Sequence, residues 1–242
     1  MNQDNEIMKD YPAIIGELNH IAGQKSPAEV LAMVSGRFPG KAVFTTSFGY
    51  EDQVISDMIF SNHMSVDVIT LDTGRMFEET YKVWQRTLEK YQKEIIPYFP
   101  ESADVEKLLR EKGTLSFYES LENRKECCHI RKVKPLKRAL AGYECWITGL
   151  RASQSEGRSS LSHFMWDEVH QLIKYNPILD WSLDEVVEYI HKNHVPYNAL
   201  HDKGFVSIGC EPCTRAIRAG EDFRAGRWWW EQNSGKECGL HK

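Results

Sequence analysis

The chain switches repeatedly between helical and strand-like spacing of its apolar residues. Residues 26–38 begin with Ser-Pro-Ala-Glu, a capping box with proline at the first helical position, and continue with apolar residues at helical intervals. A β-prone run at 41–46 follows, and a turn then leads into a second helical pattern at 51–60. These segments predict a helix followed by a strand, a loop and another helix.

The same alternation continues along the chain. We expect strands at 66–71, 94–98 and 145–148, and helices at 78–91, 104–110 and 183–191. Strands that alternate with helices are typical of the α/β class, in which a mostly parallel sheet is flanked by helices on both faces. Ligands of such sheets bind beyond the carboxyl ends of the strands. The loops at 47–49, 71–75 and 149–158 are therefore expected to border one crevice.

The domain organisation follows from length and from the absence of linkers. The 242 residues show no internal repeat and no low-complexity segment, so we expect a single domain spanning 1–242. Residues 1–40 should form a helical N-terminal segment, and residues 220–242 a mobile C-terminal tail. Three consecutive tryptophans at 228–230 favour partial docking of that tail, because leaving all three in water is costly.

Composition and charge exclude two classes of partner. No apolar run is long enough to cross a membrane, and the first residues lack the basic flank and apolar stretch of a signal peptide, so we expect a cytoplasmic protein. A net charge of −5 argues against a nucleic-acid surface. Basic residues are nevertheless concentrated at 124–138 and 215–227, beside cysteine pairs. Such runs are often solvated faces, but their position favours a small polyanionic ligand.

Six cysteines in a cytosolic protein favour metal binding or redox catalysis over disulfides. Cys210 and Cys213 form a CxxC turn, and Cys127 and Cys128 form an adjacent pair. Four thiolates suit a zinc ion or a 4Fe-4S cluster. Adjacent cysteines chelate one small ion awkwardly, whereas a cluster has separate irons to receive them, so the spacing favours the cluster over zinc and over a redox dithiol. Cys145, inside a predicted strand, is interpreted as a small buried hydrophobe.

The sixth cysteine, Cys238, lies near the carboxyl end in the run Lys-Glu-Cys-Gly-Leu-His. Neighbouring glycine, lysine and histidine make it accessible and favour its thiolate form. From the residues alone, Cys238 is either a nucleophile or an ordinary exposed cysteine.

Six short motifs occur between Thr45 and the carboxyl end: Thr46-Ser-Phe-Gly, Leu71-Asp-Thr-Gly, Cys127-Cys128 with Arg131-Lys-Val, Thr148-Gly-Leu-Arg151, Ser207-Ile-Gly-Cys-Glu-Pro-Cys213 and Glu237-Cys-Gly-Leu-His241. In these motifs the chain resembles the assimilatory adenylyl-sulfate reductases, the cluster-containing branch of the adenylyl-sulfate and phosphoadenylyl-sulfate reductases. The resemblance implies an adenine-nucleotide α-hydrolase-like (PP-loop) fold with one 4Fe-4S cluster.

The resemblance also implies a reaction. Cys238 attacks the sulfur of adenylyl sulfate, expels AMP and becomes an S-sulfocysteine, from which thioredoxin, or a glutaredoxin, releases sulfite. Lys132, one helical turn after the cysteine pair, links the cluster to the sulfate, and His241 assists the thiolate or orders the tail. We expect no nucleic-acid or membrane partner, and the sequence leaves open whether the chain forms a homo-oligomer.

The expected substrate contacts fall into three groups. Ser47, Phe48 and Gly49, where a strand meets a helix start, would receive the phosphate on backbone N–H groups. The adenosine side would be lined by Leu71, Asp72, Thr73 and Gly74. The anion would be closed over by Gly149, Arg151 and Arg158, and gripped by the tail residues Arg224 and Arg227.

Three alternatives remain at this point. Presence of both cysteine pairs favours adenylyl sulfate over its phosphorylated relative, but a phosphoadenylyl-sulfate reductase or dual activity stays open. A PP-loop enzyme that modifies RNA is a distant alternative, because residues 47–52 do not supply the Ser-Gly-Gly-x-Asp-Ser loop that holds ATP pyrophosphate. A non-catalytic zinc module is the third. Family members often carry a second arginine after Arg151, and here that position is alanine.

Overall fold

The computed structural model describes residues 10–154 and 161–231. Its helices are α1 Tyr11–Ala22, α2 Pro27–Arg37, α3 Tyr50–Ser61, α4 Glu78–Tyr91, α5 Ser102–Lys112, α6 Leu121–Cys128, α7 Lys134–Ala139 and α8 Leu183–Lys192. Its strands are β1 Ala42–Thr46, β2 Asp67–Leu71, β3 Ile96–Tyr98, β4 Cys145–Ile147, β5 Phe164–Asp167 and β6 Leu172–Tyr175. A five-residue π-helical turn, His129–Val133, joins α6 to α7.

The strands form one six-stranded sheet in the order β3-β2-β1-β4-β6-β5. All neighbouring pairs are parallel except β5 with β6, and the register sets Phe44 of β1 beside Val68 of β2 and Ile147 of β4. The predicted α/β class with a mostly parallel sheet is therefore confirmed. Because the parallel strands run in one direction, the loops after β1, β2 and β4 emerge at the same edge.

Local sequence signals explain where the helices begin. The Ser26 hydroxyl oxygen accepts a hydrogen bond from the backbone N–H of Glu29, and the Glu29 carboxylate accepts one from the backbone N–H of Ser26, as the capping-box pattern predicts. The same reciprocal pair, Ser182 and Glu185, starts α8. Asp10 caps α1, which lies within the N-terminal segment 1–40 that the sequence predicts to be helical.

Both faces of the sheet are packed against apolar helix faces. On one side, residues of α2, α3 and α8 such as Leu31, Ile55 and Ile190 pack in one cluster with Phe44 of β1. On the other, Leu136 of α7 packs in a second cluster with Val43, Ile69 and Trp146 of the sheet. Within the described residues, every helix is too short or too polar to cross a membrane.

The hairpin of β5 and β6 is absent from the predicted elements. Each strand has only four residues, and the charged side chains of Asp167 and Lys174 are buried in it, so neither strand shows a clean apolar pattern. His170 and Lys174 lie 2.9 and 4.0 Å from the Asp167 carboxylate, which compensates these buried charges.

Removing the N-cap of α8 should weaken the fold measurably. Ser182→Ala deletes the oxygen that accepts from the N–H of Glu185 at 3.2 Å, and we expect the free energy of unfolding to fall by about 1 kcal/mol. Urea denaturation measures this loss. Ser182→Asp keeps an acceptor at the same position and should stay near the wild-type value; equal losses in both variants would show that the cap contributes nothing.

Candidate functional site

Two adjoining cavities lie where the parallel strands end. The first, of about 120 Å³, is mainly apolar and is lined by Thr45, Leu71, Thr73, Met76, Leu136 and Trp146, together with Lys132 and Cys210. The second, of about 150 Å³, is more polar and is lined by Gly49, Gly149, Gln154, His201, Arg224 and Arg227. Ser47, Asp52 and Ile208 border both cavities. The crevice thus offers an apolar and a polar compartment side by side.

The turn between β1 and α3 has an unusual backbone. Phe48 adopts a φ of 61°, in the left-handed region that costs a non-glycine residue free energy, and its buried side chain stacks on Trp84 at 5.4 Å. Gly49 is the N-cap of α3 and provides no side-chain cap for the first turn. The polar cavity therefore meets the positive end of a 12-residue helix, which is a suitable place for an anion.

A buried carboxylate lies at the boundary of the two cavities. Both the backbone N–H and the hydroxyl of Ser47 donate to Oδ2 of Asp52, at 2.6 and 2.7 Å. Burial raises the pKa of Asp52 to about 6, against the opposing effect of the Ser47 hydrogen bonds. A Cβ atom at Gly149 would overlap Oδ1 of Asp52, so the loop after β4 approaches this closely only with glycine.

Residues of the loop after β2 have two different positions: some line the apolar cavity, and others stabilise the loop itself. Leu71 and Thr73 line the apolar cavity. Asp72 faces away and accepts hydrogen bonds from the N–H of Gly74 at 2.8 Å and from the hydroxyl of Tyr81 at 2.9 Å. Gly74 has a φ of 68°, which suits glycine at this turn. Asp72 and Gly74 thus shape the loop instead of lining the described cavities.

Arg151 occupies a different environment from the one that the sequence suggested. Its Nε donates to Glu51 at 2.8 Å, the side chain is 3% exposed, and Gln154 donates to the same carboxylate. In the described part of the chain Arg151 does not line either cavity, and it connects the β4 loop to the start of α3. Arg158 lies outside the described residues, so its expected contact with the anion stays a prediction.

The two cysteine pairs meet in one buried cluster. Cys127 and Cys128 come from the end of α6, and Cys210 and Cys213 from a short 3-10 turn; all four are less than 10% exposed and pack with Phe117 and Trp228. Among the described residues, no three His, Cys, Asp or Glu side chains are grouped to hold a single metal ion. A tetrahedral zinc ion would draw its thiolates to about 3.8 Å from one another, whereas each thiolate of a 4Fe-4S cluster binds its own iron.

Positive charge surrounds the four thiols. Burial raises the pKa of Cys127, although Arg75 and Arg131 oppose it, and burial raises the pKa of Cys213 to about 12. Burial also disfavours the thiolate of Cys210, but Lys132 and a 3.3 Å contact with the Thr73 hydroxyl outweigh it, so the pKa of Cys210 is lowered. The site favours negative charge most strongly where it meets the crevice.

Three buried donors beside these thiols lack a partner among the described residues. They are Nε of Arg131, Nε of Arg227 and the indole N–H of Trp228. Buried N–H groups without partners are rare, because each costs the free energy of its lost hydrogen bonds to water. Sulfur atoms of an anionic cluster would accept from such donors, so the donor set of this region fits a 4Fe-4S cluster.

Lys132 lies between the thiols and the crevice. The π-helical turn His129–Val133 carries it, and π turns inside α-helices are frequent at functional sites. Its ammonium lowers the pKa of Cys210 and its side chain lines the apolar cavity. Lys132 thus lies close to both the thiol cluster and the crevice, and its expected link to the substrate stays a prediction.

The first part of the tail is packed against the site. Trp228 is fully buried, and its backbone N–H donates to the carbonyl oxygen of Cys213 at 3.1 Å. Arg124 stacks on Trp228 at 4.4 Å and donates to the Glu231 carboxylate at 2.8 and 2.9 Å. Docking of the tryptophans is therefore confirmed for Trp228 and in part for Trp230, while Trp229 stays 49% exposed.

Glycine lets the tail arginine lie close to the CxxC turn. A Cβ atom at Gly209 would overlap the guanidinium of Arg227, which borders the polar cavity together with Arg224. Both arginines therefore border the crevice, and their expected contact with the substrate anion stays a prediction. Cys238 and His241 lie outside the described residues, and their roles stay predictions.

Several residues of the crevice escaped the sequence analysis. Asp52, His201, Ile208 and Gly209 border the cavities. The glycine next to the CxxC turn was a usable signal for Ile208 and Gly209, since close backbone approach is a common reason for glycine. His201 gave no signal, because it reaches the crevice only through long-range packing against Tyr50 at 3.8 Å.

Comparison with known proteins gives the family of this chain. The profile of the phosphoadenosine phosphosulfate reductase domain matches residues 41–216. The chain belongs to this domain family. The matched residues include the loops after β1, β2 and β4 and both cysteine pairs, so the resemblance seen in the sequence is confirmed.

Individual relatives extend over most of the chain. A Sinorhizobium fredii protein (strain NBRC 101917 / NGR234) named adenosine 5'-phosphosulfate reductase is 49% identical over 211 residues, covering 87% of this chain and 84% of its own length. A protein of the same name from Neisseria meningitidis serogroup B (strain ATCC BAA-335 / MC58) is 48% identical over 202 residues, covering 83% and 82%. The phosphate complex of phosphoadenylyl-sulfate reductase from Candida auris has a TM-score of 0.73 at 32% identity, covering 84% and 96%.

The fold is shared more widely. FMN adenylyltransferase from Candida glabrata, in complex with FAD and inorganic pyrophosphate, has a TM-score of 0.54 at 12% identity and covers 99% of this chain and 81% of its own. At that identity the likeness concerns the fold alone. It agrees with the PP-loop type of fold expected from the sequence.

Replacing Asp52 with Asn should change how stability depends on pH. Between pH 4 and 6 the folded protein keeps a proton on Asp52 that the unfolded chain has lost, so stability falls as pH rises through the folded pKa of about 6. The difference from 3.8 corresponds to roughly 3 kcal/mol. Relative to Asp52→Asn, the free energy of unfolding of the wild type should fall by about that amount between pH 4 and 7.

Urea denaturation at matched protein concentration measures both profiles. Subtracting one profile from the other removes the titration of all other groups. If the free energies of unfolding of the wild type and Asp52→Asn change equally with pH, the pKa of Asp52 is the same in the folded and unfolded states. The prediction is then wrong.

Proposed function

We propose that this chain is a cytoplasmic reductase of adenosine 5'-phosphosulfate (adenylyl sulfate), which it converts to sulfite and AMP in sulfate assimilation, with thioredoxin or a glutaredoxin as reductant. One observation carries the proposal. Cys210 belongs both to the buried thiol cluster and to the wall of the crevice at the strand ends, and Lys132, whose charge lowers the pKa of Cys210, lines the same crevice. The relatives named adenosine 5'-phosphosulfate reductase, at 44–50% identity, support the same reaction.

The two cavities would bind different parts of the substrate, according to polarity. The apolar cavity, with Leu71, Met76 and Trp146, suits adenine and ribose. The polar cavity, with Arg224, Arg227 and the N-terminus of α3, suits the phosphosulfate group, because guanidinium groups and helix N-termini both bind oxyanions. Ser47 lies where the two parts of the substrate join.

The reaction begins with a thiolate of the tail. Sγ of Cys238 attacks the sulfur of the substrate, the bond from sulfur to the bridging oxygen breaks, and AMP leaves with the electron pair. A thiolate of the reductant then attacks Sγ of the S-sulfocysteine and sulfite leaves. The reductant's second thiol resolves the mixed disulfide, so the reductant is oxidised to a disulfide by two electrons and Cys238 is restored.

Cys127, Cys128, Cys210 and Cys213 would hold a 4Fe-4S cluster, which supplies a fixed anionic group and ties α6 to the CxxC turn. Among the chain's own residues, Lys132 contributes most to binding the substrate and to stabilising its leaving group. Its ammonium lies beside Cys210 and lines the cavity, so it attracts the substrate anion and offsets the negative charge that develops on the leaving phosphate. Arg131, which donates to the carbonyl oxygen of Thr73 at 2.6 Å, holds the β2 loop against the same helix.

The relatives favour the substrate without a second phosphate, because those at 44–50% identity are named adenosine 5'-phosphosulfate reductase. Phosphoadenylyl sulfate remains the second candidate substrate, supported by the Candida auris relative. Residues 47–52 offer no support for the RNA-modifying alternative, since they lack its pyrophosphate loop.

The nucleophile is tested by Cys238→Ser in anaerobically purified protein. We expect sulfite release from adenosine 5'-phosphosulfate to fall at least 10³-fold, because a hydroxyl is far less nucleophilic than a thiolate at neutral pH. Cys145→Ser, which alters a buried strand cysteine, is a cysteine control. Wild-type rates in Cys238→Ser would eliminate the nucleophile, and faster turnover of phosphoadenylyl sulfate would reassign the substrate.

The role of Lys132 is tested by Lys132→Ala. Losing one pre-positioned charge should lower kcat/KM for adenosine 5'-phosphosulfate by about 10²- to 10³-fold. Lys137→Ala, an exposed lysine on the neighbouring helix α7, should leave kcat/KM unchanged. Iron and acid-labile sulfide are measured in both variants, and full activity in a cluster-loaded Lys132→Ala protein would remove the proposed role.

A further inference from the structure

Exposed apolar side chains are concentrated in two segments that contact each other, residues 115–121 and 229–230. Leu115, Tyr118, Leu121 and Trp229 are 59%, 37%, 42% and 49% exposed, and they account for four of the seven large exposed hydrophobic residues in the described ranges. The ring of Trp230 joins them, because it lies 4.4 Å from the ring of Tyr118 and 5.7 Å from that of Trp229. We call these five side chains the Trp229 face.

The Trp229 face is held in place from beneath. The hydroxyl of Tyr118 donates to the carbonyl oxygen of Pro212 at 2.7 Å, inside the CxxC turn. Phe117, which is buried, packs at 6.1 Å against Trp230 and carries Arg75 over its ring at 4.7 Å. A partner that docks here would meet a preformed surface, so little conformational entropy is lost on binding.

The tail that bears the nucleophile begins at this face. The ion pair of Arg124 with Glu231 is largely buried, its side chains being 2% and 13% exposed, and it fixes the chain one residue after Trp230. Cys238 follows seven residues later and can reach at most about 25 Å from that anchor. The thiol cluster contacts both the Trp229 face and the crevice, since Trp230 packs against the cluster and Cys210 lines the apolar cavity. From the Arg124–Glu231 anchor, the length of the tail therefore allows Cys238 to approach either the crevice or the Trp229 face.

We propose that the Trp229 face is the docking surface for the dithiol protein that reduces the S-sulfocysteine. The inference rests on the proposed function and adds the surface that receives the reductant. In this step the partner's thiolate attacks Sγ of Cys238, the sulfur–sulfur bond breaks and sulfite leaves with the electron pair. The partner's second thiol then displaces Cys238, so the partner ends as a disulfide.

The chemistry of the face fits a transient protein partner. Such interfaces are small, and their binding energy is concentrated in a few aromatic side chains at the centre. Docking next to the tail anchor also gives the partner's thiol a high effective concentration at Cys238. The chain's own residues 232–242 match the face poorly, because Leu240 is their one large apolar side chain.

The test compares two reductants in the full-length, cluster-loaded protein. Sulfite release from adenosine 5'-phosphosulfate is measured with thioredoxin over a range of concentrations and, separately, with dithiothreitol, which needs no docking surface. In Trp229→Ala we expect the KM for thioredoxin to rise at least fivefold, with the dithiothreitol-supported rate and the KM for the nucleotide unchanged. Leu115→Ala should act in the same direction. Val169→Ala, a 65% exposed residue in the turn between β5 and β6, is the matched control.

Each contrary result has a distinct meaning. An unchanged KM for thioredoxin in Trp229→Ala and Leu115→Ala, with normal dithiothreitol activity, overturns the docking surface and leaves the proposed function intact. Dissociation of an oligomer by Trp229→Ala in sedimentation, again with an unchanged KM, assigns the face to a second copy of the chain and overturns the proposal. Failure of the wild-type protein to release sulfite even with dithiothreitol would instead reject the proposed function.

Discussion

Burial of four thiols beside the crevice at the strand ends sets the strongest constraint on this structure. Low exposure penalises thiolates, as the raised pKa values of Cys127 and Cys213 show, so negative charge can be kept there only with fixed positive charge close by. Lys132 supplies part of this charge at Cys210, on the side of the crevice. The same constraint explains why guanidinium groups are buried in a region that is otherwise lined by aromatic rings.

The buried guanidinium groups near the thiols come from segments that are distant along the chain. Each of them is held by its own contacts. Arg131 is held by the carbonyl oxygen of Thr73 in the β2 loop, and Arg124 by the carboxylate of Glu231 in the tail. Arg227 lies against the backbone of Gly209. Loss of any one segment would therefore leave a buried charge without compensation, which couples the tail, the π turn and the strand loops into one unit.

The sequence predicted most of the sheet because its central strands are short apolar runs between helices with clear start signals. The β1, β2 and β4 loops and the capping box at Ser26 follow from such local patterns. The apolar pattern could not predict the β5–β6 hairpin, because Asp167 and Lys174 are charged but buried there, close to each other and to His170. Arg151 was expected at the anion because its partner Glu51, which lies 100 residues earlier in the chain, is not visible in the local sequence.

The π turn at His129–Val133 has a further consequence for variation in this family. It inserts an extra residue into what is otherwise one continuous helix from α6 to α7. Each residue of an α-helix turns the chain by about 100°, so deleting one residue here would regularise the helix and rotate Cys127 and Cys128 away from the direction that Lys132 faces. Insertions and deletions should thus be excluded from this segment even though a regular helix would be locally more favourable.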